Sequence, residues 1–236
     1  RLPLSMALDD ASLSIIQLLL RDFAAMTHSA PNVLERFLRY VQFDTQSDET
    51  SAAAPSTAKQ LKLAEALKDE LHQLGIANAV IGQGGVVYAH IPASPSCEDL
   101  PAVGFIAHMD TSPDASGLHV KPQIIRFDGT DVLLNQTEGI RFPVERFPEI
   151  KKYIGEDVIF TDGTTLLGAD DKSGIAAIMD MAAKITADPT IAHAKLCIAF
   201  TPDEAIGRGT ANFDLERFGA DWAVTIDGGE VGTLEN

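Results

Sequence analysis

Four short segments of this chain end an apolar run in acids or in histidine, the side chains that hold cations and move protons. They are "AHMD" with His108 and Asp110, "GADDKSG" with Asp170 and Asp171, "TPDEAIG" with Glu204, and "TIDGG" with Asp227. Imidazole nitrogen and carboxylate oxygen are the usual donors to a hydrolytic zinc or similar divalent ion. His108 and Asp110 stand two apart, so in an extended chain they point the same way. The aspartate can then accept the second ring N–H of the histidine and fix its tautomer, as partners of metal ligands commonly do.

Each segment also has a plainer explanation. A lone histidine at a strand end is more often a hydrogen-bonded structural residue. Asp170 and Asp171 precede a helical run, where they would cap it and complement its dipole. Glu204 reads as a solvated loop acid, and Asp227-Gly228-Gly229 as an ordinary turn. Their recurrence at successive strand ends favours one shared site, because ligands of open α/β sheets gather outside the carboxyl ends of the strands.

The elements that would position these residues alternate. From Val33 to Val41 the apolar positions follow helical spacing, with Asn32 as cap and Glu35 three residues later. A second helical pattern runs from Thr57 to Leu74, and Gly75 ends it. "VVYAHI" (86–91) and "AVGFIAH" (102–108) are short, apolar and β-prone, the second reading as buried on both faces. Residues 111–165 are rich in Gly, Pro and Asp and predict long loops with short strands. "GIAAIMDMAAKI" (174–185) predicts a helix, and "AKLCIAFT" (194–201) and "WAVTID" (222–227) predict strands. The alternation predicts an α/β fold with a mostly parallel sheet covered by helices.

Composition narrows the function classes. Asp and Glu total 34 against 18 Lys and Arg, a formal charge of −16, which repels phosphate backbones and anionic lipid. Nucleic acid and membrane surfaces are therefore poor partners. No run approaches the roughly 20 apolar residues of a membrane span. Cys97 and Cys197 fit no zinc or redox spacing and read as reduced thiols of a cytoplasmic protein. Residues 1–30 read either as an extension preceding a start at Met26 or as a short amphipathic helix carrying Leu13, Ile16, Leu19, Leu20 and Phe23.

The blocks "GFIAHMDTSPDASG", "VKPQII", "TDGTTLLGADDKSGIAAIM", "FTPDEAIGRGT" and "DWAVTIDGGEVGTLE" resemble, in family order, the peptidase T (aminotripeptidase) branch of the M20 dizinc metallopeptidases. The resemblance runs from about Asn32 to the end. It implies a three-layer α/β/α sheet of the zinc-peptidase type, and release of the N-terminal residue from tripeptides. It implies that His108, Asp170 and Asp227 ligate metal, with Asp170 bridging two zinc ions. Asp110 would orient His108, and Glu204 would be the general base. It also implies a cis peptide bond between Asp170 and Asp171.

Two departures stand out. In the family the residue after the general base is a second glutamate, a ligand of the second metal; here it is Ala205, whose methyl group donates nothing. Family members are also longer, with an inserted lid or dimerisation domain and a returning segment that supplies a further histidine. None of His28, His72, His90, His119 or His193 matches that motif. Residues 31–236 are thus expected to be the N-terminal portion of the catalytic domain, holding at most one zinc ion tightly and impaired as a peptidase by Ala205 and by the missing half. A homodimer is implied only for full-length members. The alternatives are a catalytically inactive truncated homologue, and an M20 dipeptidase or deacylase.

Overall fold

The computed structural model describes residues 31–229 and Thr233; the segment Leu13–Phe23 lies outside the described residues. The chain runs through helices α1 (Pro31–Tyr40), α2 (Gln60–Gln73), α3 (Ala169–Ala187) and α4 (Leu215–Phe218). Its strands are β1 (Val80–Ile81), β2 (Val87–Ile91), β3 (Val103–His108), β4 (Gln123–Arg126), β5 (Val132–Asn135), β6 (Ile140–Phe142), β7 (Asp157–Phe160), β8 (Leu196–Thr201) and β9 (Trp222–Thr225). Helix α1 begins at Pro31, one residue before the expected cap, which suits a residue with no N–H to leave unpaired in the first turn. Helix α2 begins at Gln60, three residues later than its apolar pattern, and ends before Gly75, whose φ of +86° favours glycine.

Five strands form the main sheet in the order β1-β2-β8-β3-β9. The expectation of a mostly parallel sheet needs correction. β8–β3 and β3–β9 are parallel, but β1–β2 and β2–β8 are antiparallel. The connections explain the mixture. β1 and β2 are joined by a tight turn closed by the Gly82 N–H on the Val86 carbonyl at 2.7 Å. β2 and β3 are separated by residues 92–102, which contain no crossover helix to reverse the chain.

Alternation along the strands divides the interior in two. Val87, Ala89, Ala107, Ile198 and Phe200 face α1, α2 and α3 in the larger core. Leu63, Leu67 and Leu71 of α2 recur every four residues and are fully buried there, each contributing about 1.5–3 kcal/mol relative to exposure. The opposite face is thin: Tyr88, Cys197 and Ala199 pack with Phe218 of the one-turn helix α4. Gly104 is required on that face, because a Cβ there would lie 2.4 Å from the Phe218 ring. The helical layers are therefore unequal among the described residues.

The stretch predicted as loops with short strands has a core of its own. β4 pairs with β7 and β5 with β6, and Phe127, Val132, Val144, Ile150 and Phe160 pack between them.

Candidate metal centre

β3, β8 and β9 run parallel, with His108 opposite Thr201 and Ile106 opposite Thr225, so their carboxyl ends lie along one edge. His108 is the last residue of β3. Glu204 opens a single 3-10 turn just past β8, and Asp227 lies two residues past β9. Asp170 stands at the start of α3, where its bond to Asp171 is cis, as the resemblance implies. One donor atom from each of His108, Asp170 and Asp227 lies within 4.8 Å of the others.

The buried half of this group is fixed and the exposed half is open. His108 and Asp110 side chains are 4% and 0% exposed, whereas Asp170 is 76% exposed. Both neighbours of His108 Nδ1 are acceptors, the Asp110 carbonyl at 3.1 Å and its carboxylate at 3.3 Å. Nδ1 therefore carries a proton, and Nε2, facing Asp170 Oδ1 at 2.7 Å and Glu204 Oε2 at 3.7 Å, carries a second one in the metal-free chain that a cation would displace. The Asp110 carboxylate is itself held by the main-chain N–H groups of Glu204 at 2.9 Å and Ala205 at 3.1 Å.

The two aspartates of the "DD" pair divide the two readings between them. Asp171, fully buried, accepts the main-chain N–H of Gly174 at 3.1 Å, three residues on, as a helix cap does. It also accepts the main-chain N–H of His108 at 3.1 Å, so the cap ties α3 to β3. Asp170 is left to face the centre. Gly174 makes the close approach possible: a Cβ there would lie 2.4 Å from Asp171 Oδ1 and 2.6 Å from the Ile226 carbonyl. Gly174→Ala is expected to displace the segment after β9 that carries Ile226 and Asp227. Its signature would be at least tenfold weaker zinc binding by competition titration together with a lower melting temperature.

The donor chemistry fits a divalent cation. Zinc bonds of about 2 Å bring ligand atoms within roughly 4 Å of each other, and the exposed Asp170 and Asp227 can turn to close the group. The charge balance points the same way. Burial would lower the His108 pKa, but its hydrogen bond and charge interaction with Asp110, then the charges of Asp171 and Asp170, raise it to about 9. Burial pushes Asp171 up to about 8. Beside them Lys172, its ammonium donating to the Phe43 carbonyl at 2.7 Å, is lowered by burial to about 8 against the charges of Asp44 and Asp110.

These shifts set a pH dependence. The folded chain keeps a proton on His108 that the unfolded chain releases near the ordinary histidine value of 6.5. That contribution to stability is complete below pH 6.5 and is lost as pH rises through about 9. Asp171 acts with the same sign between about 4 and about 8. Lys172, lowered from 10.5 to about 8, acts with the opposite sign above that pH, so calorimetry in chelator should show the melting temperature falling from pH 6.5 to about 8. A rise over that window would contradict the arrangement.

No family model matches the chain. Over 205 residues it is 56% identical to peptidase T of Desulfitobacterium hafniense, covering 86% of this chain and 50% of that protein. The chain is homologous to peptidase T. Peptidase T of Clostridium acetobutylicum is 53% identical over 204 residues, with 86% and 50% covered. The chain thus spans about half the length of the curated relatives it matches. Among solved structures, a tripeptidase from Staphylococcus aureus superposes with a TM-score of 0.57 at 24% identity, covering 84% of this chain and 43% of that one. An aminopeptidase from Bacillus cereus gives 0.58 at 22% identity, with 84% and 43% covered. At these identities the structures speak for the fold.

Sequence reasoning singled out His108, Asp110, Asp170, Glu204 and Asp227, and the structure brings these side chains to one edge. The resemblance gave the metal to Asp170, but no reading foresaw that Asp171 both caps α3 and holds the His108 N–H, and none marked Lys172. No sequence signal marks Lys172 beyond its place directly after the acids.

Proposed function

We propose that this chain carries the metal centre and general base of a metal-dependent aminopeptidase that releases the N-terminal residue from tripeptides. The observation that carries the reading is the convergence of His108 Nε2, Asp170 and Asp227 within 4.8 Å, with the Glu204 carboxylate 3.7 Å from His108 Nε2. The extended match to peptidase T supports the substrate class.

A bound zinc ion would polarise the scissile carbonyl and acidify an attacking water. Asp110 keeps a proton on His108 Nδ1, so Nε2 is the nitrogen that gives up its proton to ligate. Asp170 and Asp227 supply the anionic donors. Glu204, half exposed beside the ligands, takes the proton from the attacking water and returns it to the departing amine. The free Cys97 and Cys197 and the absence, among the described residues, of a helix long and apolar enough to span a membrane are compatible with a cytoplasmic setting.

A second reading, a homologue without peptidase activity, is favoured by one observation. Ala205 occupies the position beside the general base with a side chain that cannot ligate. Zinc, manganese or cobalt added to the purified chain with a panel of tripeptides, dipeptides and N-acyl amino acids decides among the readings. Release of N-terminal residues from tripeptides, abolished by chelator and by Glu204→Gln, is the expected result. Binding of metal with no turnover of any substrate would establish the inactive reading, and cleavage confined to dipeptides or acyl amino acids would redirect the assignment.

A further inference from the structure

Asp203 has no part in the chemistry above, yet it is buried and its main chain stands in the left-handed region, with φ 60° and ψ 22°. Aspartate is among the few non-glycine residues that enter that region readily. Its carboxylate accepts three hydrogen bonds, all from the stretch leading into α2. The donors are the Ser56 N–H at 2.7 Å, the Ser56 hydroxyl at 2.5 Å and the Gln60 side-chain amide at 2.7 Å. Gln60, fully buried, completes the pair by accepting the Asp203 main-chain N–H at 3.2 Å. Ser56 Oγ also accepts the Asp48 N–H at 2.9 Å, so the loop before α2 is held to the same point.

The geometry points to a clamp: Ser56, Gln60 and Asp203 position the metal centre through the main chain of Glu204 and Ala205. The inference rests on the metal-centre reading proposed above. A continuous path of hydrogen bonds carries it. The clamp fixes the reversal at Asp203, and the reversal aims the next two N–H groups at the Asp110 carboxylate. Asp110 in turn holds His108 Nδ1 and so directs Nε2. The same reversal sets where the Glu204 carboxylate leaves the backbone. Ser56, Gln60 and Asp203 are thus positioning residues, with no contact to the metal or the peptide. Ala205 gains a role independent of its side chain, since its N–H is one of the two that hold Asp110.

Two substitutions separate this role from general packing. Asp203→Gly keeps the freedom to adopt positive φ and removes the carboxylate; Gln60→Ala removes the facing amide and leaves residue 203 intact. In both, zinc affinity measured by chelator competition should fall about tenfold, the range seen when groups supporting a metal ligand are removed. Amide hydrogen exchange at Glu204 and Ala205 should quicken about tenfold, with Ile178 in α3 unchanged. Asp203→Asn, which keeps an acceptor for the Ser56 N–H, should recover most of both. Parent-like exchange and affinity in Asp203→Gly and Gln60→Ala would overturn the clamp. Loss of protection at Ile178 in Asp203→Gly would signal global unfolding; Gln60→Ala and Ser56→Ala then take its place, and parent-like values in both would overturn the clamp equally. If the parent chain binds no zinc, the functional reading falls, and exchange at the two amides still decides the clamp.

Discussion

Replacing His108 by alanine is expected to lower zinc affinity by two decades or more. Structural zinc sites with four ligands bind with about 10–16 kcal/mol at pH 7, so one ligand accounts for about 3 kcal/mol, a factor above a hundred. The loss here should reach at least that, because His108 is the one buried donor of the group and the one whose direction is enforced from behind by Asp110. The apo chain should meanwhile fold. Removing the imidazole also removes a proton-binding group from among Asp110, Asp170 and Asp171, which leaves the fall in stability between pH 6.5 and about 8 weaker than in the parent. His72→Ala is the matched control, since that ring lies outside the centre and meets the Ala79 carbonyl. Calorimetric zinc titration of the two variants tests this, and retention of parent affinity by His108→Ala would remove the metal centre from this edge of the sheet.

Much of the arrangement was legible in the sequence because it rests on short-range rules. Continuous apolar runs such as "VGFIAH" and "LCIAFT" have too few residues for a helix and no polar face, so they must be buried strands. An acid or imidazole closing such a run has one direction to go, out of the carboxyl end. What was not legible depends on pairing across long separations. β2 could have joined the sheet in either direction, and only its place beside β8, 100 or so residues away, settles it as antiparallel. Asp170 and Asp171 are chemically identical neighbours; the resemblance assigns the metal to Asp170, but the hold of Asp171 on the His108 N–H depends on β3 and α3 meeting in space. The clamp joins Ser56 to Asp203 over 147 positions, and neither residue carries a local pattern that announces it.

Ala205→Glu is expected to raise the number of tightly held divalent ions from one to two. The present donors favour a single ion: His108 Nε2, Asp170 and Asp227 form one compact group, and it is the only group of three candidate ligands among the described residues. A second ion next to it would have Asp170 to share and little else from this chain. A carboxylate at 205 would change that count at the right place. Ala205 is exposed, its N–H already points at Asp110, and it directly follows Glu204, whose carboxylate approaches His108 Nε2 to 3.7 Å. The substitution asks nothing of the core, so the fold should be unaffected. It also adds one more negative charge to a site that already gathers carboxylates. Without metal that charge should cost stability, and with two ions it should be neutralised. Two ions can divide the work, one preparing the attacking oxygen while both stabilise charge developing on the carbonyl, so any tripeptide hydrolysis by the parent should rise by one or more decades. Metal analysis after dialysis, paired with tripeptide turnover before and after the substitution, gives the answer. Two equivalents of zinc retained by the parent chain, or one retained by Ala205→Glu, would show that position 205 does not govern the second ion.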